Sequence, residues 1–314
     1  MVALVAMVFQ RKAVKDKGTY MMKRSFFSVT APRLQVDSMQ GMLPDTARIE
    51  RPGQIMLLIE DHTENSHEMI LQKGDPVKTG QKLSLTPDSQ AYAISTVSGT
   101  ITQIEPFPGE SGKQFTAISV SASKDVSLDE DFATYCDTPS IQGAVDLLQC
   151  LPGSPEFEPF MDKDNPIQTL VINAMDQDLF IITAQYTLKA FFEELAQGIQ
   201  HLKTITGVEH IVVAVPQDTI HGYGDMGASV ISIGKGYPEG LPHLIAQRVV
   251  GHEIPVGKNF QDLGMTFLNV EAVTSLGRSL RNRKMAQTKQ VTFLDKNGNR
   301  SLLSATASIA MLFP

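Results

Sequence analysis

The chain has 314 residues, 42% of them hydrophobic and 19% charged, with a charge balance of 27 − 34 = −7. Such a length supports two domains with a large buried core, and the acidic balance argues against a duplex nucleic-acid binder, which needs a basic face. Only two cysteines occur, Cys136 and Cys150. They exclude a disulfide scaffold and any self-contained four-thiolate zinc or iron–sulfur site.

Met1 to Phe9 is apolar, but a spanning helix needs about 20 such residues. Arg11, Lys12, Lys15 and Lys17 follow this run, whereas a secretory signal places its charge first. Residues 1–28 are therefore expected to be a flexible extension, with Met21 and Met22 as alternative starts. No later stretch reads as a span, so any membrane contact is expected only through partners.

Residues 29–124 read as one β-rich domain. Short apolar runs at Ile55–Ile59, Lys82–Leu85, Tyr92–Ile94, Thr100–Ile104 and Phe115–Val120 are separated by Gly, Pro and Asp. Gly74–Leu83 (GDPVKTGQKL) and the later turn in Val97–Ile104 (VSGTITQI) space their glycines like the hairpins of a lipoyl- or biotin-carrier sandwich. A true carrier bears a lysine on the hairpin tip. Here Asp88 and Ser89 stand there, with no lysine from Ser84 to Gly112, so the fold is expected without the carrier chemistry.

Ser121–Thr138 is acidic and Ser-rich and reads as a linker. From there to about residue 280, apolar strands alternate with helical patterns. Strands are expected at Thr169–Asn173, His210–Val215, Ser229–Ile233 and Met265–Asn269. Helices are expected at Ser140–Cys150, over one long amphipathic stretch at Ala184–Thr204, at Pro242–Gly251, and briefly from Val270. The alternation implies a largely parallel sheet covered on both faces, a Rossmann-like α/β domain over 125–280. Residues 281–314 restart a β pattern, with a turn at Lys296–Gly298.

In Leu170–Phe180 (LVINAMDQDLF), Asn173 ends a strand and Asp176 and Asp178 follow, at the carboxyl edge where open α/β sheets bind ligands. Two carboxylates there suit ribose hydroxyls or a flavin ring; alternatively they cap the next helix. His62 and His67, beside Glu64 and Glu68, lack the spacing of a helical metal site and read as a solvated loop. His201 and His210 read as satisfied or surface residues. The glycine-rich loop around Tyr223 (His221–Ser229) follows no dinucleotide fingerprint but leaves a free-standing ligand-binding module open.

Taken together, these motifs resemble the C subunit of the Rnf electron-transport complex, a family related to the quinone-reductase A subunit and the flavin- and NADH-binding subunit of complex I. Gly74–Leu83 matches the family's GD-V--GQ-L stretch, Ser98–Lys113 its SGTV-AIEP---PSGK, and Ile172–Phe180 its INGAECEPY. Gly236–Pro255 echoes KYPQG---QLI--LTGREVP, and Asp262–Val273 matches DVGVVV-NV-TA. The resemblance runs in order from about residue 45 to 275. It implies an α/β plus β architecture: a carrier-like barrel sandwich, the Rossmann-like domain, and the start of a β-grasp, soluble-ligand-binding domain at 281–314. It also implies membership of a membrane electron-transport complex, with its other subunits as partners and a cytoplasmic position peripheral to the inner membrane.

The departures bear on cofactors. The family's GLGGAGFP flavin loop is here Gln149–Pro159 (QCLPGSPEFEP), in which Gly153 lies between prolines and is followed by Glu156 and Glu158. Proline removes backbone donors, and the glutamates repel a phosphate. The family's two glutamates become Asp176 and Asp178, and its cysteine-rich cluster motifs have no counterpart. The expectation is a docking or structural subunit without iron–sulfur clusters, whose FMN and NADH site, residually Gly153, Asn173, Asp176 and Asp178, is degenerate. The alternative is an active FMN-dependent NADH-oxidising subunit with a rebuilt loop.

Overall fold

The computed structural model describes residues 34–36, 39, 43–49, 52–60, 69–87, 89, 91–109, 112–219 and 225–306. His62, His67, Glu64, Glu68, Asp88 and Tyr223 lie outside them.

Strand β1 is Thr46–Arg48 and β2 is Gln54–Glu60. The β-rich segment continues with β3 (Pro76–Val77), β4 (Lys82–Ser84), β5 (Tyr92–Ile94), β6 (Gly99–Pro108) and β7 (Gln114–Ala122). Strands β2, β7, β6 and β3 form an antiparallel sheet in that order, and β4 pairs with β5 as a separate hairpin. Alternate residues point inward. Leu57 and Ile59 from β2 meet Ile118 and Val120 from β7, with Val77, Leu83, Ala93 and Ile101 completing a core of its own.

Next come helices α1 (Asp131–Asp137) and α2 (Ile141–Leu147), strand β8 (Thr169–Asn173), helices α3 (Thr183–Ala190) and α4 (Phe192–Thr206), and strands β9 (His210–Pro216) and β10 (Ser229–Ile233). Helix α5 (Pro242–Val250), β11 (Met265–Asn269) and α6 (Val270–Asn282) follow. The sheet order is β10-β9-β8-β11, all parallel. Both faces are covered, which is why β8 is nearly continuous hydrophobe. Leu170 and Ile172 face the core under α3, α4 and α6, whereas Val171 faces the one under α5.

Three helical expectations are corrected. The second half of the expected linker is α1, which buries Phe132 and Tyr135. Its helical contacts are hidden in the sequence by the Asp, Glu and Thr around them. The expected single helix over 184–204 is two, broken at Phe191 (φ −128°, ψ 39°), although the apolar spacing runs on through the break. The helix from Val270 is 13 residues long, not short. It packs on α4 at small residues: a Cβ on Gly277 would lie 1.8 Å from the Glu194 carbonyl oxygen.

Strands β12 (Thr288–Leu294) and β13 (Arg300–Thr306) form a hairpin, and β1 adds to β13 in parallel. Two stretches near the start of the chain therefore pair away from the sandwich: β1, and residues 34–36, which run antiparallel to 235–237. No helix among the described residues is long and apolar enough to cross a membrane.

Candidate functional site

In an open parallel sheet the ligand crevice lies beyond the carboxyl ends of the strands, where helix N-termini offer unpaired amides to an anion. Helices α3, α5 and α6 all begin at that edge here.

Asn173 ends β8 and stands in register with Asn269 at the end of β11. Its Oδ1 accepts from the Met175 N–H at 3.0 Å and its Nδ2 donates to the Gly240 carbonyl at 3.4 Å. Asn173 thus ties the exit of β8 to the loop entering α5.

Asp176, only 4% exposed, is the N-terminal cap of α3 from a distance. Its carboxylate accepts from the Ala184 N–H at 2.7 Å, the Gln185 N–H at 3.4 Å and Gln185 Nε2 at 2.9 Å. Residue 182, the local cap position, is isoleucine and supplies no side-chain acceptor. Burial pushes the Asp176 carboxyl up to about 6, against the opposing pull of these donors and of Arg300. Gln185 is itself buried, and its Oε1 accepts from the Met39 N–H at 2.9 Å. Lys189 Nζ donates to the Met39 carbonyl. Met39 is therefore held along α3 by Gln185 and Lys189.

Asp178 does not join Asp176. It is exposed and accepts from the Phe180 N–H at 3.2 Å, a local turn contact.

Gly153 sits against the start of α6. Its carbonyl accepts from Asn269 Nδ2 at 2.7 Å, while Asn269 Oδ1 caps the Ala272 N–H at 2.8 Å. At φ +89°, a Cβ on Gly153 would lie 2.4 Å from the Ala272 nitrogen and 2.5 Å from Asn269 Oδ1. The glycine thus brings its own loop onto the helix terminus. The first turn of α6 also carries Glu271, largely buried beside Lys289, its carboxyl pKa raised by burial. At α5, Pro242 takes the first position and lacks an N–H, and the Leu244 and Ile245 N–H groups both donate to the Leu241 carbonyl.

The starts of α3 and α6 are thus met by the protein's own side chains, whereas α5 has no side-chain cap, and the four expected site residues divide among separate tasks. Gln185, Asn269 and Glu271, and the segment at Met39, were not singled out from sequence. Asn269 was legible as a cap, being an Asn directly before a helical pattern; the contact to Met39 crosses 146 residues and leaves no local signal. Asn269→Ala is expected to cost about 1–2 kcal/mol, as loss of a helix cap does, read from urea unfolding.

The remaining candidates are accounted for. His201 Nε2 pairs with the Tyr135 hydroxyl at 2.7 Å, and burial lowers the histidine's pKa. His210 Nδ1 pairs with Thr169 Oγ1 at 3.0 Å. The Cys150 thiol donates to the Tyr92 carbonyl at 3.6 Å and is pushed up by burial to about 11, so it is a poor nucleophile or ligand at neutral pH.

Residues 44–125 match the family model described as the RnfC barrel sandwich hybrid domain. The chain is 24% identical over 271 residues to the C subunit of the ion-translocating oxidoreductase complex of Buchnera aphidicola subsp. Acyrthosiphon pisum (strain APS), covering 78% of this chain and 55% of that one. It is 23% identical over 299 residues to the same protein from Buchnera aphidicola subsp. Baizongia pistaciae (strain Bp), covering 84% and 57%. It therefore spans a little over half the length of these relatives. A chain of the NAD+-reducing [NiFe]-hydrogenase in its air-oxidized state aligns with a TM-score of 0.41 and 13% identity, covering 55% of this chain and 40% of that one. The chain is thus similar over most of its length to the C subunits of ion-translocating oxidoreductase complexes, and residues 44–125 carry that family's barrel sandwich hybrid domain.

Proposed function

We propose that the chain is a docking or structural subunit of a membrane-associated Rnf/Nqr-type electron-transport complex, with a closed FMN and NADH site and no iron–sulfur clusters. In this reading the first domain is carrier-like in fold without a carrier lysine, the parallel domain is a Rossmann-like scaffold, and β12 and β13 begin a β-grasp unit. Its partners are the other subunits of the complex, not nucleic acid, and they alone bring it to the cytoplasmic face of the inner membrane. The similarity to the C subunits of such complexes supports the partners.

The occupied helix starts carry the proposal for the site. Gly153 and Asn269 fill the start of α6, and Asp176 fills that of α3. FMN would have to displace these contacts before its phosphate met a backbone amide. The residues present therefore do not fit a flavin phosphate, and no redox step is assigned to the chain.

A ligand stabilises only the state that binds it. FMN at saturating concentration is therefore expected to leave the melting temperature of the purified chain unchanged, and the protein is expected to be colourless. A saturable rise of several degrees, or a flavin absorption band surviving gel filtration, would instead establish the FMN-dependent NADH-oxidising subunit.

A further inference from the structure

A second concavity lies away from the carboxyl edge of the parallel sheet. It has a volume of about 480 Å³ and is walled by β1, the sandwich loops, the end of α6 and the segment leading to β12. Arg48, Arg278 and Lys284 line it, and among the described residues no carboxylate does. In a chain of net charge −7, three cations around one cleft form a local exception.

The three cations differ in how firmly they are held. Arg278 is half-buried, its guanidinium 4.1 Å over the Phe191 ring and near Glu194 and Glu271. Arg48 and Lys284 are exposed and make no ion pair among the described residues. The adjoining recess brings one carboxylate, Asp129, near Lys284, with an oxygen accepting from the Asp131 N–H at 3.0 Å. At the end of α6 the Arg283 and Lys284 N–H groups bond to the Leu280 and Ser279 carbonyls.

Neutral donors stand in the same walls. Asn282 and Gln287 line the cleft. So does Thr96, which is 6% exposed and whose hydroxyl has no hydrogen-bond partner among the described residues.

We propose that this cleft binds a small molecule bearing a multiply charged oxyanion, a phosphate or a polycarboxylate. Arginine and lysine supply charge-assisted bonds to such groups, and a cleft of one sign concentrates them. The volume suits a small ligand rather than a macromolecular surface. The site is independent of the closed flavin site.

Titration calorimetry of the whole chain at low salt, with pyrophosphate and with citrate as probes, tests the assignment. At least one probe is expected to bind saturably, and the tighter of the two identifies the anion class. In R48E/K284E, which changes two exposed side chains, affinity is expected to fall at least about tenfold while the melting temperature without ligand is unchanged. Should that variant fail to fold, R48Q/K284Q serves the same comparison. No saturation by either anion at about 10 mM, a very weak affinity, overturns the proposal. Equal affinity in the variant overturns it too.

Discussion

Gly153→Ala is expected to lower the stability of the protein by about 4 kcal/mol, the sum of three effects. At φ +89° an alanine is in the left-handed region, a strain of about 1–2 kcal/mol. Its Cβ would stand 2.4 Å from the Ala272 nitrogen, and relieving such a clash by moving backbone typically costs about 1–3 kcal/mol. The movement also takes the Gly153 carbonyl away from Asn269 Nδ2, now at 2.7 Å, a loss of about 1 kcal/mol. Urea unfolding measures the sum, as a shift in midpoint at constant slope. A change under about 0.5 kcal/mol, the range of an ordinary surface substitution, means that the loop is not seated on α6 and that the helix start is free for a phosphate.

The second large effect is electrostatic and is read against pH. Asp176 titrates near 6 in the folded protein instead of 3.8, because burial disfavours its charge more than its three donors and Arg300 favour it. As pH rises from 3.8 towards 6 the unfolded chain releases this proton while the folded chain keeps it, so the unfolded state gains. The stabilisation from this group is complete below the unfolded value and is lost through the folded one. A displacement from 3.8 to about 6 corresponds to about 3 kcal/mol at 1.36 kcal/mol per pH unit. Asp176→Asn has no proton to exchange. The stability difference, native minus variant, is therefore expected to fall by about 3 kcal/mol between about pH 3 and pH 7. A flat or rising difference would mean that Asp176 lies open to water, as a ligand-binding carboxylate at a crevice mouth would.

Strands were the most legible part of the fold. Burial on one face or two writes itself into the order of side chains: Ser229–Ile233 and Met265–Asn269 have the same bounds in sequence and structure. Helix α1 was hidden because its two anchoring rings, Phe132 and Tyr135, are too few to set a period among acids and threonines. The break at Phe191 was hidden for the opposite reason. Leu188, Leu195 and Ile199 keep a helical spacing across it, while Gln185 and Lys189 fasten α3 to Met39 and Arg278 covers the Phe191 ring.

The candidate site was legible as a place but not as a geometry. That Asn173, Asp176 and Asp178 follow a strand end is a matter of sequence order. Whether two neighbouring carboxylates converge depends on backbone direction over the intervening turn, and here one turns inward beneath α3 while the other stays in water. Gly153 was likewise legible as the single glycine of its proline-flanked loop, though not what it would approach.

The order of amino acids alone determined the β-rich first part and the alternation of strands and helices after it, the stretch without lysine from Ser84 to Gly112 and the count of two cysteines, since these follow from residue type, count and period. Only the folded chain decided that helix starts at the sheet edge are stopped by Gly153, Asn269 and Asp176, and that Arg48, Arg278 and Lys284 share a cleft. The seating of Gly153 on Asn269 and the sharing of one cleft by Arg48 and Arg278 join residues more than a hundred positions apart. Contact over such separations is set by packing of whole elements, which no local pattern encodes.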